Sequence, residues 1–184
     1  MPNSSKPNPP SPWNEFLEGL DALLDEQVEV YCIGGFVLSL HYGLPRTTGD
    51  VDYFSAVPNH CINNLQALAG QDSKLAKKHR VYLQCFSSHT MPEDFETRTV
   101  EMFPGRFRNL RLYAPDPYDL ILSKVERNSP KDRDDVAYLA ETLQLDPAVL
   151  RERYSKELRP YLANESRHDL TLELWASFFP QKNS

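Results

Sequence analysis

Tyr31-Cys32-Ile33-Gly34-Gly35-Phe36-Val37-Leu38, running on to Arg46-Thr47-Thr48-Gly49-Asp50-Val51-Asp52-Tyr53, is the stretch from which the rest of the chain is read. Val28, Val30 and Ile33 form the β-branched run of a buried strand. Gly34-Gly35 then lets the backbone turn sharply into an apolar helix over 36–42, which Gly43 stops. A second strand follows from the Asp-Val-Asp triplet to about Phe54. Side chains alternate along a strand, so Asp50 and Asp52 share one face while Val51 points into the core. Two carboxylates on one face invite a divalent cation.

Outward from that stretch the chain is punctuated clearly. Residues 1–12 hold five of the fifteen prolines and are expected to be a disordered tail. Ser11-Pro12 reads as N-cap and first position of a helix ending near Glu26, with Phe16, Leu17, Leu20, Leu23 and Leu24 as its stripe. Ile62, Leu65, Leu68 and Ala69 predict a helix closed by Gly70, which Lys74 to Lys78 extend, and 79–86 a third strand. Segment 87–96 is polar and contains Pro92, so it is read as a loop or single helical turn. Segments 98–103 and 107–113 form a hairpin-like pair at the sheet edge.

Helical signals then take over. Asp116-Pro117 opens a helix with Tyr118, Ile121, Leu122 and Val125 on one face and Lys124 off it. Ser129-Pro130-Lys131-Asp132 repeats the start signal before Val136, Leu139, Ala140 and Leu143. Asp146-Pro147 opens another helix, and Leu170, Leu174, Trp175 and Phe178 mark a last one. The fold class is α+β: a core over 13–114 with a small mixed sheet flanked by helices, and a helical C-terminal part over 115–184.

Composition narrows the function classes. A chain of 184 residues with 40% apolar content can bury one substantial core. No apolar run approaches the ~20 residues of a membrane span, and the expectation is a soluble, cytoplasmic protein. Three widely spaced cysteines with no Cys-x-x-Cys pair read as reduced thiols. The net charge of −6 argues against a generally basic nucleic-acid coat. Residues 98–133 reverse that balance, with eight Lys/Arg against five Asp/Glu, a candidate basic face for phosphate or RNA.

Gly34-Gly35, Arg46-x-Thr48-x-Asp50-x-Asp52, Asp119-Leu-x-x-x-Lys124 and Lys131-Asp132-x-x-Asp135-Val136, in that order, resemble the nucleotidyltransferase superfamily with the DNA polymerase β-like core. Within it the pattern is similar to a bacterial group of small domains of uncharacterised function, a group that resembles the abortive-infection type of nucleotidyltransferase toxin, and covers about residues 28–143. The resemblance implies a nucleotidyltransferase fold and transfer of NMP from an NTP to an acceptor hydroxyl. The implied acceptor is RNA, a tRNA end among the candidates, or a protein side chain, and the implied cofactor is Mg²⁺ or Mn²⁺. An antitoxin partner is implied as well. Asp50 and Asp52 are then metal ligands and, with Lys124, catalytic residues. Gly34, Gly35, Arg46, Thr48, Lys124 and Asp135 contact the nucleotide.

The residues fit that chemistry on physical grounds. Glycines at a helix start present N–H groups to phosphate oxygens without a Cβ in the way. Arg46 and Thr48 share the parity of the aspartates wherever the chain is extended. Each feature also has a plainer reading: a strand-to-helix turn for the glycines, a helix cap for Asp132, an exposed helix lysine for Lys124. One departure stands out. Many members of the superfamily carry a third carboxylate on a later strand, where this chain offers Gln84, an amide that carries no charge. Glu96, Glu101 or Asp135 completes the site, or two carboxylates suffice, or the fold serves as a nucleotide- or partner-binding module with catalysis weakened or lost.

Overall fold

The computed structural model describes residues 8–86 and 89–180. Of the expected tail, residues 1–7 lie outside the described residues, as do Ser87 and Ser88 of the expected loop; Pro9 is buried, and the Pro10 carbonyl accepts the Asn14 N–H. Contacts divide the chain into two compact units, Met1–Ser88 with Thr99–Pro115, and His89–Arg98 with Asp116–Ser184.

The first unit is a five-stranded mixed sheet with four helices. Strands β1 (Val28–Ile33), β2 (Asp50–Val57), β3 (Tyr82–Cys85), β4 (Val100–Met102) and β5 (Leu110–Ala114) lie in the order β3-β2-β1-β5-β4. β1 pairs antiparallel with β2 and parallel with β5, β2 pairs parallel with β3, and β4 pairs antiparallel with β5. One face carries Val28, Val30, Cys32, Val51, Tyr53, Leu83, Leu110 and Leu112, all buried. Helices α1 (Trp13–Asp21), α2 (Gly34–Leu40), α3 (Cys61–Ala69) and α4 (Lys74–His79) add Phe16, Leu17, Leu20, Phe36, Val37 and Leu65 to that core. Each such fully buried side chain contributes about 1.5–3 kcal/mol of transfer free energy. The other sheet face carries Glu29, Tyr31, Asp50, Asp52, Tyr82, Gln84, Arg111 and Tyr113, all half-buried.

Two details depart from the sequence expectation. Helix α1 ends at Asp21 rather than near Glu26, and Pro12 is its N-cap instead of its first residue. The Asp21 carboxylate accepts the backbone N–H groups of Arg108, Asn109 and Leu110, pinning the start of β5. Along β2 the alternation holds only through Tyr53. The register then shifts, with Tyr31 opposite Ser55 but Cys32 opposite Tyr53, so Phe54 is an extra residue. This β-bulge lets Ala56 face the core while Asp50 and Asp52 keep the opposite face.

The second unit is helical. It contains a 3-10 turn (Phe95–Arg98), α5 (Pro117–Leu122), α6 (Pro130–Thr142), α7 (Pro147–Arg153), a π-helical turn (Tyr154–Leu158), a 3-10 turn (Arg159–Tyr161) and α8 (Glu165–Ala176). Asp116, Ser129 and Asp146 cap α5, α6 and α7, each followed by proline as the sequence predicts. Arg98 holds the 89–98 segment through paired hydrogen bonds to the buried Asp119 carboxylate and a third to Glu157.

The stripe expected on α8 is corrected. Leu170 is 75% and Leu174 41% exposed, while His168, Thr171, Leu172, Trp175 and Ala176 are buried. Of the polar atoms there, the Thr171 hydroxyl and the Trp175 indole N–H are partnered, while His168 Nδ1 is buried with no hydrogen-bond partner among the described residues. Asn128 receives the Trp175 indole N–H and donates to the Thr171 hydroxyl. Among the described residues no helix is long and apolar enough to cross a membrane.

Candidate nucleotide site

The turn between β1 and α2 positions the first group of residues. Ile33 is extended and caps α2; Gly34 follows at φ +72°, a left-handed conformation that an L side chain rarely adopts. The β1–β2 register sets Ile33 opposite Asp52, which brings the carboxylate against the turn. A Cβ on Gly34 would sit 2.6 Å from Asp52 Oδ2; one on Gly35 would sit 3.2 Å from Thr48 Oγ1 and 3.7 Å from Arg46 Nη2. Both glycines therefore allow the carboxylate strand and the loop before it to approach the turn more closely than a side chain would permit.

Residues 44–49 lead into β2 without forming a strand, yet they are held in place. Ser39 Oγ donates to the Arg46 carbonyl at 2.7 Å, fixing the loop to α2. Thr48 Oγ1 donates toward Asp50, 3.0 Å from Oδ1. Arg46, Thr48, Asp50 and Asp52 thus gather at one end of the sheet with Gly34 and Gly35.

The neighbouring strand completes this surface. In the β2–β3 register Asp50 lies opposite Tyr82 and Asp52 opposite Gln84, so these side chains share the open face. Burial first, and then the charges of Asp50 and Asp52, push the Tyr82 hydroxyl pKa up. The same logic reaches the opposite face, where burial first and the Asp52 charge second push up the Cys32 thiol. Tyr82 is a residue that the sequence reading missed; its parity with Gln84 was the signal. Gln84 occupies the position beside Asp52 where a third carboxylate was expected.

The second unit holds the remaining residues. Lys124 lies in the turn just beyond α5 and is buried, contrary to its expected position on a helix. Its Nζ is 3.0 Å from Asp135 Oδ2 and 3.4 Å from Asp132 Oδ1. Asp132 also accepts from Arg127 Nε at 2.8 Å and from the Ser129 N–H and Oγ at 2.9 and 2.7 Å. Burial pushes its carboxyl pKa up, but the hydrogen bonds from Arg127 and Ser129 and the charge of Lys124 outweigh that and hold it far below the usual range. Asp132 is thus both the capping-box residue of α6 and the centre of a buried ion cluster.

Much of the positive charge in 98–133 has internal partners. Arg98 bonds Asp119 and Glu157, Arg106 bonds Glu18, Arg111 lies 3.4 Å from Glu101, and Lys124 and Arg127 bond Asp132. Arg108 and Lys131 are exposed.

Oxygen donors on one strand face, beside a turn without side chains, suit a hard divalent cation such as Mg²⁺. Comparison with known proteins agrees with the class of chemistry. Residues 15–182 match the family described as nucleotidyltransferase of unknown function (DUF6036). No curated protein and no solved structure matches the chain. The match spans most of the sequence, and the chain belongs to that family.

Proposed function

We propose that this member of the nucleotidyltransferase family moves NMP from an NTP to an acceptor hydroxyl in a Mg²⁺-dependent reaction centred on Asp50 and Asp52. The observation that carries the proposal is the convergence of Arg46, Thr48 and Asp52 on the Gly34-Gly35 turn, where an added Cβ would strike Asp52 and crowd Thr48. Bound by the two carboxylates, the ion would neutralise phosphate charge and ease loss of the acceptor proton. The N–H groups of the Gly34-Gly35 turn and the Arg46 guanidinium supply donors for phosphate oxygens. Thr48 orients Asp50 by a hydrogen bond, and Tyr82 lies opposite Asp50 on the neighbouring strand. Within the second unit Lys124 pairs with Asp135, and the motif resemblance supports both as nucleotide contacts.

In the transfer the acceptor oxygen bonds the α-phosphorus, the bond to the β-phosphate oxygen breaks, and pyrophosphate leaves. The motif resemblance supports RNA, a tRNA end included, or a protein hydroxyl as acceptor, and a toxin role with an antitoxin partner. The direct test is incubation of the protein and Mg²⁺ with each α-labelled NTP, total RNA and lysate protein. Label on RNA or protein that vanishes with Asp50→Asn or Asp52→Asn is the expected result; label unchanged in both variants removes the assignment. If RNA is the acceptor, Arg108→Ala and Lys131→Ala weaken RNA binding and flatten its salt dependence; unchanged binding leaves protein as the acceptor.

Gln84 beside Asp52 favours a second reading, in which the chain binds the nucleotide with Mg²⁺ but turns it over slowly or not at all. Mg²⁺-dependent nucleotide binding without label transfer to any acceptor is its signature.

A further inference from the structure

At the opposite end of the β1–β2 pair, three side chains of different donor chemistry converge. Glu26 stands in the turn just before β1, and His60 and Cys61 are the N-cap and first residue of α3. Glu26 Oε1 is 2.9 Å from His60 Nε2 and 3.6 Å from Cys61 Sγ. The three donor atoms lie within 4.8 Å of one another. Glu26 and His60 are exposed and reachable from solvent, whereas Cys61 is buried and presents its sulfur from beneath. The register sets Glu29 opposite Val57 at this end and Ile33 opposite Asp52 at the other, roughly 13 Å apart along β1.

We propose that Glu26, His60 and Cys61 form a second metal site, for Zn²⁺ or an ion of similar softness, with water as fourth ligand. Sulfur, imidazole nitrogen and carboxylate oxygen together are a borderline-soft set that suits Zn²⁺ and leaves Mg²⁺ to the all-oxygen aspartate site. Two of the three donor separations are close to what that ion requires, and the His60 and Cys61 donors lie within 4.8 Å of each other. With Zn–O and Zn–N near 2.0 Å and Zn–S near 2.3 Å, tetrahedral donors stand about 3.3 Å (O to N) and about 3.5 Å (O to S) apart. The Glu26–Cys61 separation already meets this, and the Glu26–His60 contact needs to open by only a few tenths of an ångström.

Charge balances too. The thiol proton passes to solvent, and thiolate plus carboxylate offset the two charges of the ion while neutral imidazole binds through Nε2. Sequence spacing hides the trio because residue 26 meets 60 and 61 only through the antiparallel pairing of β1 with β2. The bound ion would tie the turn before β1 to the start of α3, stabilising the sheet end remote from the aspartates.

Titration of the full chain with Co²⁺, read by absorption, tests the site independently of any nucleotide chemistry. One equivalent should produce a thiolate-to-cobalt charge-transfer band and tetrahedral visible bands, displaced by Zn²⁺ but not by excess Mg²⁺. Cys61→Ser should abolish the band. His60→Ala and Glu26→Gln, at exposed positions that leave the fold intact, should each weaken Co²⁺ binding by more than about tenfold. Asp52→Asn should leave it unchanged, so this site and the nucleotide site fail or stand separately. A wild-type chain with no charge-transfer band overturns the proposal. So does a band that persists in Cys61→Ser, which would assign it to Cys32 or Cys85, or an affinity untouched by His60→Ala and Glu26→Gln.

Discussion

Asp52 in the first unit and Asp132 in the second are both acidic residues of the motifs read in the sequence, yet their surroundings differ in kind. Asp132 is fully buried, and its two oxygens accept five hydrogen bonds from Lys124, Arg127 and Ser129. Asp52 is half-buried on a strand face, beside a glycine whose missing Cβ would otherwise strike its Oδ2. The first arrangement satisfies a charge from within the unit, and the second sets a carboxylate against a turn that has no side chain. Internal saturation points to stability, and the second arrangement is the one proposed to take the ion. This contrast separates the chemical from the architectural part of the account.

The sharpest way to break the contrast is to remove each carboxylate and measure both activity and stability. Asp50→Asn or Asp52→Asn should lower label transfer at least about 1,000-fold, the several kcal/mol that metal-assisted charge stabilisation supplies, with melting temperature little changed. Asp132→Ala should instead cost about 3–5 kcal/mol in urea unfolding, because Lys124 and Arg127 lose a buried partner. If Asp52→Asn unfolds the protein while Asp132→Ala is tolerated, the two regions have been assigned the wrong way round.

A smaller effect is expected at the turn itself. Gly34→Ala places a Cβ at positive φ and against Asp52, and should destabilise by about 2 kcal/mol while also impairing nucleotide binding. A variant with wild-type stability and nucleotide affinity would show that the space beside Asp52 has no role.

Acid titration sharpens the contrast further. The folded-state pKa of Asp132 is depressed below its unfolded value, so its contribution is fully present above about pH 4 and is lost as pH falls through the folded value. Unfolding free energy should therefore decline below pH 4 in the wild type and decline less in Asp132→Ala. Parallel slopes would remove Asp132 as the acid-sensitive group. The smallest effect is expected from Gln84→Glu, which sets a third carboxylate opposite Asp52. Transfer should rise by up to about tenfold, an upper limit of about 1.4 kcal/mol in barrier; a fall would show that the amide is the working group.

Most of the element order was legible because its signals are local. Val28, Val30 and Ile33 before paired glycines, and Asp or Ser followed by proline before α5, α6 and α7, need no tertiary context. The shared face of Asp50 and Asp52 was legible for the same reason. The Phe54 bulge was not, because Asp50, Asp52 and Phe54 continue the alternation without interruption and only the register against β1 exposes the extra residue.

Lys124 illustrates a second limit. A lysine defaults to the surface, and the carboxylates that bury it stand eight and eleven residues further along the chain. In α8 the apolar pattern misled, since Leu170 and Leu174 face outward while Trp175 and the hydrogen-bonded Thr171 line the inner side. Long-range pairing, rather than local propensity, decided every one of these positions.

The central claim is that Asp50 and Asp52 hold the ion that binds the nucleotide. It is tested most directly by calorimetric titration of a non-hydrolysable NTP analogue into the wild-type chain and into Asp52→Asn, with Mg²⁺ and with chelator. The account predicts nucleotide binding that requires Mg²⁺ and weakens at least about tenfold in the variant, a loss of about 1.4 kcal/mol or more. Equal affinity with chelator, or equal affinity in Asp52→Asn, would contradict it.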